Sequence, residues 1–132
     1  MNKTHHLGEL QLAIMRVLWA AGDATVVTVH GALLTEGGRA LTTIATMLKK
    51  MEKKGAVRHR AEGRQFIYEP IISEDQVKET MVSELTKRLF EGDVTALVGH
   101  LIAQEGIDAS ELAQLKGLIA KQEGRAKKGG NA

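Results

Sequence analysis

A chain of 132 residues with 43% apolar content makes one domain of ordinary size or two small ones, and its net charge of only +2 excludes the strongly charged, core-free classes. Aromatics make up 3% and there is a single Pro, so packing must come from Leu, Ile, Val, Ala and Met, as in mostly α proteins. With no cysteine, no charged-then-apolar leader and no apolar run long enough for a bilayer, disulfides, thiolate metal sites and a membrane role are excluded, and a cytoplasmic protein is expected.

Met1 to His6 reads as a frayed start. Leu7, Leu10, Ile14, Val17, Leu18 and Ala21 then form a helical stripe to about Gly22, with Trp19 beside it as a packing residue. Gly22 and Asp23 close this helix and Thr25 is placed to cap the next, Val26 to Glu36, which carries Val29, Ala32 and Leu33 on one face. The β-branched run Val26, Val27, Thr28, Val29 argues against helix there. Gly37 and Gly38 stop it.

Ala40 to Lys54 is the most informative stretch. Ile44, Met47, Leu48 and Met51 recur at i, i+3, i+4 and i+7 on one side, and Thr42, Thr43, Thr46, Lys49, Lys50 and Lys53 occupy the other. Hydroxyls suited to base edges come first and ammonium groups suited to phosphates follow, which is the order a recognition helix needs. After Gly55 the period changes. Val57–Arg60 and Gln65–Glu69, joined by residues 61–64 and closed by Pro70, predict a β-hairpin bearing Arg58, Arg60 and Arg64, with Phe66 and Tyr68 partly core and partly hairpin cover. Three helices and a hairpin make a winged helix-turn-helix unit over residues 7–72.

Charge follows this division. Residues 1–72 hold ten Lys/Arg against six Asp/Glu, whereas residues 73–132 hold eight against ten. A basic patch over residues 49–64 suits a polyanion partner.

Ser73 with Gln76 forms a capping box for a helix to about Glu91, carrying Val77, Met81, Leu85 and Leu89. Asp93 caps a helix to Gln104 with Val94, Leu97, Val98, Leu101 and Ile102. Asp108 with Glu111 opens a last one with Leu112, Leu115, Leu118 and Ile119. Such stripes cannot all be hidden within some fifty residues, so residues 73–122 are expected to be a helical dimerisation domain that joins two copies around a two-fold axis. Residues 123–132 are expected to be a disordered tail.

These segments resemble the BlaI/MecI/CopY family of winged-helix transcriptional repressors. The likeness is carried by LGELQLAIMRVLW (7–19), TTIATMLKKMEKKG (42–55), VRHRAEGRQFIYEP (57–70) and TALVGHLIAQE (95–105). It implies a homodimer joined through its C-terminal helices, seated on a pseudo-palindromic double-stranded operator with TACA/TGTA half-sites and blocking transcription. Matched position by position, Thr42, Thr43 and Thr46 are the base readers, while Lys49, Lys50, Arg58, Arg60 and Arg64 take phosphates. Ala45 stands where some relatives carry a long basic side chain, and it can offer only apolar contact to a thymine methyl. β-Lactam-responsive relatives are cut by a regulatory protease of a sensor system at an Asn-Phe pair; here His100 and Leu101 stand at that place. The copper-responsive branch uses a cysteine cluster that this chain lacks. Neither inducer mechanism transfers directly.

Other classes fit poorly. His5, His6, His30, His59 and His100 are not spaced to share a metal apart from the adjacent first pair, and no nucleophile elbow or phosphate loop occurs, so neither an enzyme nor a cofactor is expected. His59 reads as touching DNA or solvent. The competing reading is a winged-helix module that binds another protein through the same hairpin and helix.

Overall fold

The computed structural model describes residues 7–35 and 37–129, the last three by their backbone alone. The expected frayed start at Met1 to His6 and the position of Glu36 lie outside the described residues. The elements in order are α1 (Glu9–Ala21), β1 (Ala24–Thr25), α2 (Val26–Ala32), α3 (Leu41–Lys53), β2 (Val57–Glu62), β3 (Gln65–Pro70), α4 (Glu74–Phe90), α5 (Val94–Gln104) and α6 (Ala109–Gly129). The fold is thus mostly helical with a small antiparallel sheet, as the sequence predicts.

Each boundary has a local cause. Gln11 reaches back to the Gly8 N–H at 3.1 Å to start α1, and Thr25 Oγ accepts the Thr28 N–H at 3.1 Å to start α2. α2 forms despite its β-branched run because Val29 is fully buried and Leu33 nearly so; packing overrides a weak intrinsic preference. Ser73 and Gln76 exchange bonds of 2.8 and 3.1 Å ahead of α4. Asp93 accepts the Ala96 N–H at 2.9 Å, and Asp108 accepts the Glu111 N–H at 2.8 Å.

One strand was not expected. Ala24 and Thr25 pair with Tyr68 and Ile67, giving the strand order β1-β3-β2. Two residues are too few to show an alternating pattern, and their pairing depends on where β3 lies.

The chain divides into two compact units between Leu85 and Thr86. In the first unit, α1, α2, α3 and the sheet enclose one core of Ile14, Met15, Leu18, Val29, Ile44, Leu48, Met51, Val57 and Tyr68. Trp19 packs against it with its indole N–H on the Ile72 carbonyl at 3.0 Å. The first unit extends beyond the expected boundary at residue 72, because the start of α4 completes this core: Val77 is 2% exposed and Met81 packs half-buried beside it. In the second unit α5 buries none of its residues. α6 continues to Gly129, so residues 123–129 are helical where a disordered tail was expected, and residues 130–132 of that tail lie outside the described residues; Glu123, Arg125 and Ala126 are good helix formers and offset the poor propensity of Gly124.

Candidate nucleic-acid interface

α3 separates its two faces cleanly. Ile44 and Leu48 are 0% exposed and Met51 1%, while Thr42, Thr43, Thr46, Lys49, Lys50 and Lys53 all face solvent. Thr42, Thr46, Lys49 and Lys53 recur at i, i+4, i+7 and i+11, so they form one line along the helix, about 16 Å long at the α-helical rise. Thr43 and Lys50 stand on one flank of that line, and Ala45 and Glu52 on the other. The polar line runs opposite the buried one, so burying Ile44, Leu48 and Met51 presents the Thr and Lys row outward.

Two contacts that sequence reading missed hold α3 in place. His30 Nε2 bonds the Arg39 carbonyl at 2.9 Å, tying α2 to the loop that enters α3. Glu52, in the last turn of α3, accepts the His59 backbone N–H at 3.1 Å and the His59 ring Nδ1 at 2.7 Å. His59 therefore packs toward α3 while 32% of its side chain stays in solvent, and its ring stacks on Phe66 with centroids 4.3 Å apart. An acid four to eight residues ahead of a His across a helix end carries no motif, and only the turn between them brings the two together.

That turn depends on Gly55. Its φ of +85° is open to glycine, and with the Ala56 N–H on the Met51 carbonyl at 2.9 Å it closes α3 and redirects the chain into β2. The hairpin is in register from Val57↔Pro70 to Glu62↔Gln65, with Gly63 (φ +62°) and Arg64 as a two-residue turn. The strands are longer than expected and the turn shorter. Val57, His59, Tyr68 and Phe66 share the face toward α3, with Tyr68 1% and Phe66 45% exposed. Burial, and secondarily the charge of Glu52, raise the Tyr68 phenol above its ordinary pKa.

The cations divide into two groups. Arg58 is paired with Glu69 at 2.6 Å, and Arg60 with Asp23 at 2.9 Å and Glu62 at 3.4 Å. The bond that Arg60 donates to Asp23 is the main cause of its raised pKa. Lys49, Lys50, Lys53 and Arg64 make no ion pair with any described residue. Of the cations expected to meet phosphate, those without an ion pair stand on α3 and at the hairpin tip.

Of the side chains expected to form a dimer contact, Val77 is excluded by its burial in the first unit's core, and Met81 is half-buried there. Leu85, Leu89, Val94, Val98, Leu101 and Ile102 are exposed, and Leu97, Leu112 and Leu115 are partly so. Val82, Leu118 and Ile119 add exposed apolar surface that was not assigned to the contact. Among the described residues no helix is long and apolar enough to cross a membrane.

The sequence model described as penicillinase repressor matches residues 7–121. A "Penicillinase repressor" of Bacillus licheniformis is 27% identical over 96% of this chain and 99% of its own length. A "Transcriptional regulator BlaI" of Mycobacterium tuberculosis is 32% identical over 84% of this chain and 82% of its own. Among solved structures, the DNA binding domain of the repressor BlaI is similar with a TM-score of 0.51 and 34% identity, covering 58% of this chain and 93% of that one. The chain belongs to the penicillinase repressor family.

Proposed function

We propose that this protein is a DNA-binding transcriptional repressor that acts as a homodimer on a pseudo-palindromic operator. The observation that carries the reading is α3, whose apolar side is sealed in the core while its Thr and Lys side stands in solvent with unpaired ammonium groups. Thr42, Thr43 and Thr46 would reach base edges, and Lys49, Lys50, Lys53 and Arg64 phosphates. Arg58 and Arg60 take part more weakly, because a guanidinium already paired with carboxylate adds little net charge.

Residues 7–72 with the start of α4 form the DNA-binding part, and the exposed apolar faces of α4, α5 and α6 form the dimer contact. A lone chain exposing Leu89, Val94, Leu101, Ile102, Leu118 and Ile119 together would aggregate, and a second copy supplies a matched apolar cover. Release by a regulatory protease of a sensor system belongs to the proposal through family membership alone.

The test is fluorescence anisotropy with a labelled duplex carrying inverted TACA/TGTA half-sites against a scrambled duplex, alongside sedimentation. The expected results are preference for the inverted site and a particle of twice the 14.3 kDa chain mass, reduced to a single chain by Val98→Glu with Leu101→Glu. Equal affinity for both duplexes and a flat salt response would instead indicate a protein-interaction module.

A further inference from the structure

We infer that Glu52 is a positioning residue for DNA binding, whose carboxylate pins the outer edge of the hairpin to the last turn of α3 and so sets the angle between the two. The inference rests on the DNA-binding reading and adds the device that aligns its two contact elements. The strand order β1-β3-β2 leaves β2 at the sheet edge, where outward N–H groups lack a strand partner. Glu52 supplies one: Oε2 accepts the His59 N–H at 3.1 Å, and the ring Nδ1 lies 2.7 Å from both carboxylate oxygens. The His59 ring is itself held from β3, stacked on Phe66 and tilted on Tyr68 at 5.5 Å. One side chain of α3 thereby holds β2 directly and β3 through the His59 ring.

The sign of Glu52 supports a positioning role. It is a carboxylate next to Lys49 and Lys53, where negative charge opposes a phosphate partner, so its contribution must come from the bonds it makes. α3 and β2 are also joined by the turn at Lys54, Gly55 and Ala56, with glycine at its centre, and by the core that buries Val57 and Tyr68 with Leu48 and Met51, while Arg60 ties β2 to Asp23. Leverage makes the clamp matter. At strand rise, the turn that carries Arg64 stands about 12 Å beyond His59, and a pivot of about 10° there moves the tip by about 2 Å, far enough to break a charge-assisted bond that needs about 2.8 Å.

The experiment is a salt titration of the full chain on the inverted TACA/TGTA duplex, with hydrogen exchange at the His59 amide read without DNA. Arg64→Ala should lower the slope of log affinity against log salt by about 0.9 per protomer. Glu52→Ala should lower it equally, and adding Arg64→Ala to Glu52→Ala should change nothing further. Glu52→Gln, which keeps an acceptor for the His59 N–H, should restore most of the slope. Exchange protection at His59 should be lost in the Ala variant and kept in the Gln variant. Tighter binding by Glu52→Ala with the Arg64 effect intact would overturn the inference, as would an Arg64→Ala variant with an unchanged slope. A wild-type chain that ignores the duplex refutes the repressor reading instead, and exchange at His59 then decides whether the clamp exists. Should Glu52→Ala unfold, the Gln variant with Arg64→Ala carries the same comparison.

Discussion

The pairing pattern of the cations makes the salt dependence of DNA binding a quantitative test of which residues meet phosphate. Lys49, Lys50, Lys53 and Arg64 are unpaired among the described residues, whereas Arg58 and Arg60 are held by Glu69, Asp23 and Glu62. Four free cations on each of two protomers neutralise about eight phosphates, and at about 0.9 per phosphate the slope of log affinity against log salt is about −7. Raising monovalent salt from about 50 to 200 mM should then weaken binding about 10⁴-fold. Full participation of Arg58 and Arg60 would steepen the slope to about −11. Anisotropy at five or six salt concentrations separates these values, and Arg58→Ala should flatten the slope less than Lys53→Ala does. A slope near −11, or equal effects of the two substitutions, would show that the exposed pairs are given up on binding, which their modest strength of about 0–1 kcal/mol leaves open energetically. A slope shallower than about −2 would remove α3 from the phosphate backbone altogether.

Within α3 itself, Thr46→Ala should erode preference for the correct site by about 1–3 kcal/mol, while Lys53→Ala weakens all duplexes alike; binding to matched and scrambled duplexes distinguishes them. Leu48→Ala, at a fully buried position beneath the polar row, should lower unfolding free energy by about 2–5 kcal/mol in urea titration, and a loss under about 1 kcal/mol would contradict the tight seating of α3. The raised pKa of Tyr68 means that the folded state holds the phenolic proton more tightly than the unfolded chain. Its contribution is therefore complete below pH 10.0 and is lost as pH rises through the higher folded value. Thermal melts of Tyr68→Phe should accordingly show a smaller alkaline decline than the wild type.

The helices of this protein were legible because each carries its own instructions. A 3,4 apolar stripe and a capping residue are local, so Thr25, Asp93 and the boxes Ser73/Gln76 and Asp108/Glu111 could be read before any contact was known. The polar face of α3 was legible for the same reason, since one helix period dictates that burying Ile44, Leu48 and Met51 exposes Thr42, Thr46, Lys49 and Lys53. What only the tertiary structure decided were contacts between residues with no sequence relation. Strand β1 exists because β3 lies beside it, and Val77 belongs to the first unit because the start of α4 packs on that core. Arg60 is neutralised by Asp23, 37 positions away, and Glu52 meets His59 only after Gly55 turns the chain back. Hydrophobic periodicity acts within one element and survives in the sequence, whereas ion pairs and edge caps depend on where two elements meet, and that is set by the packing of the whole core.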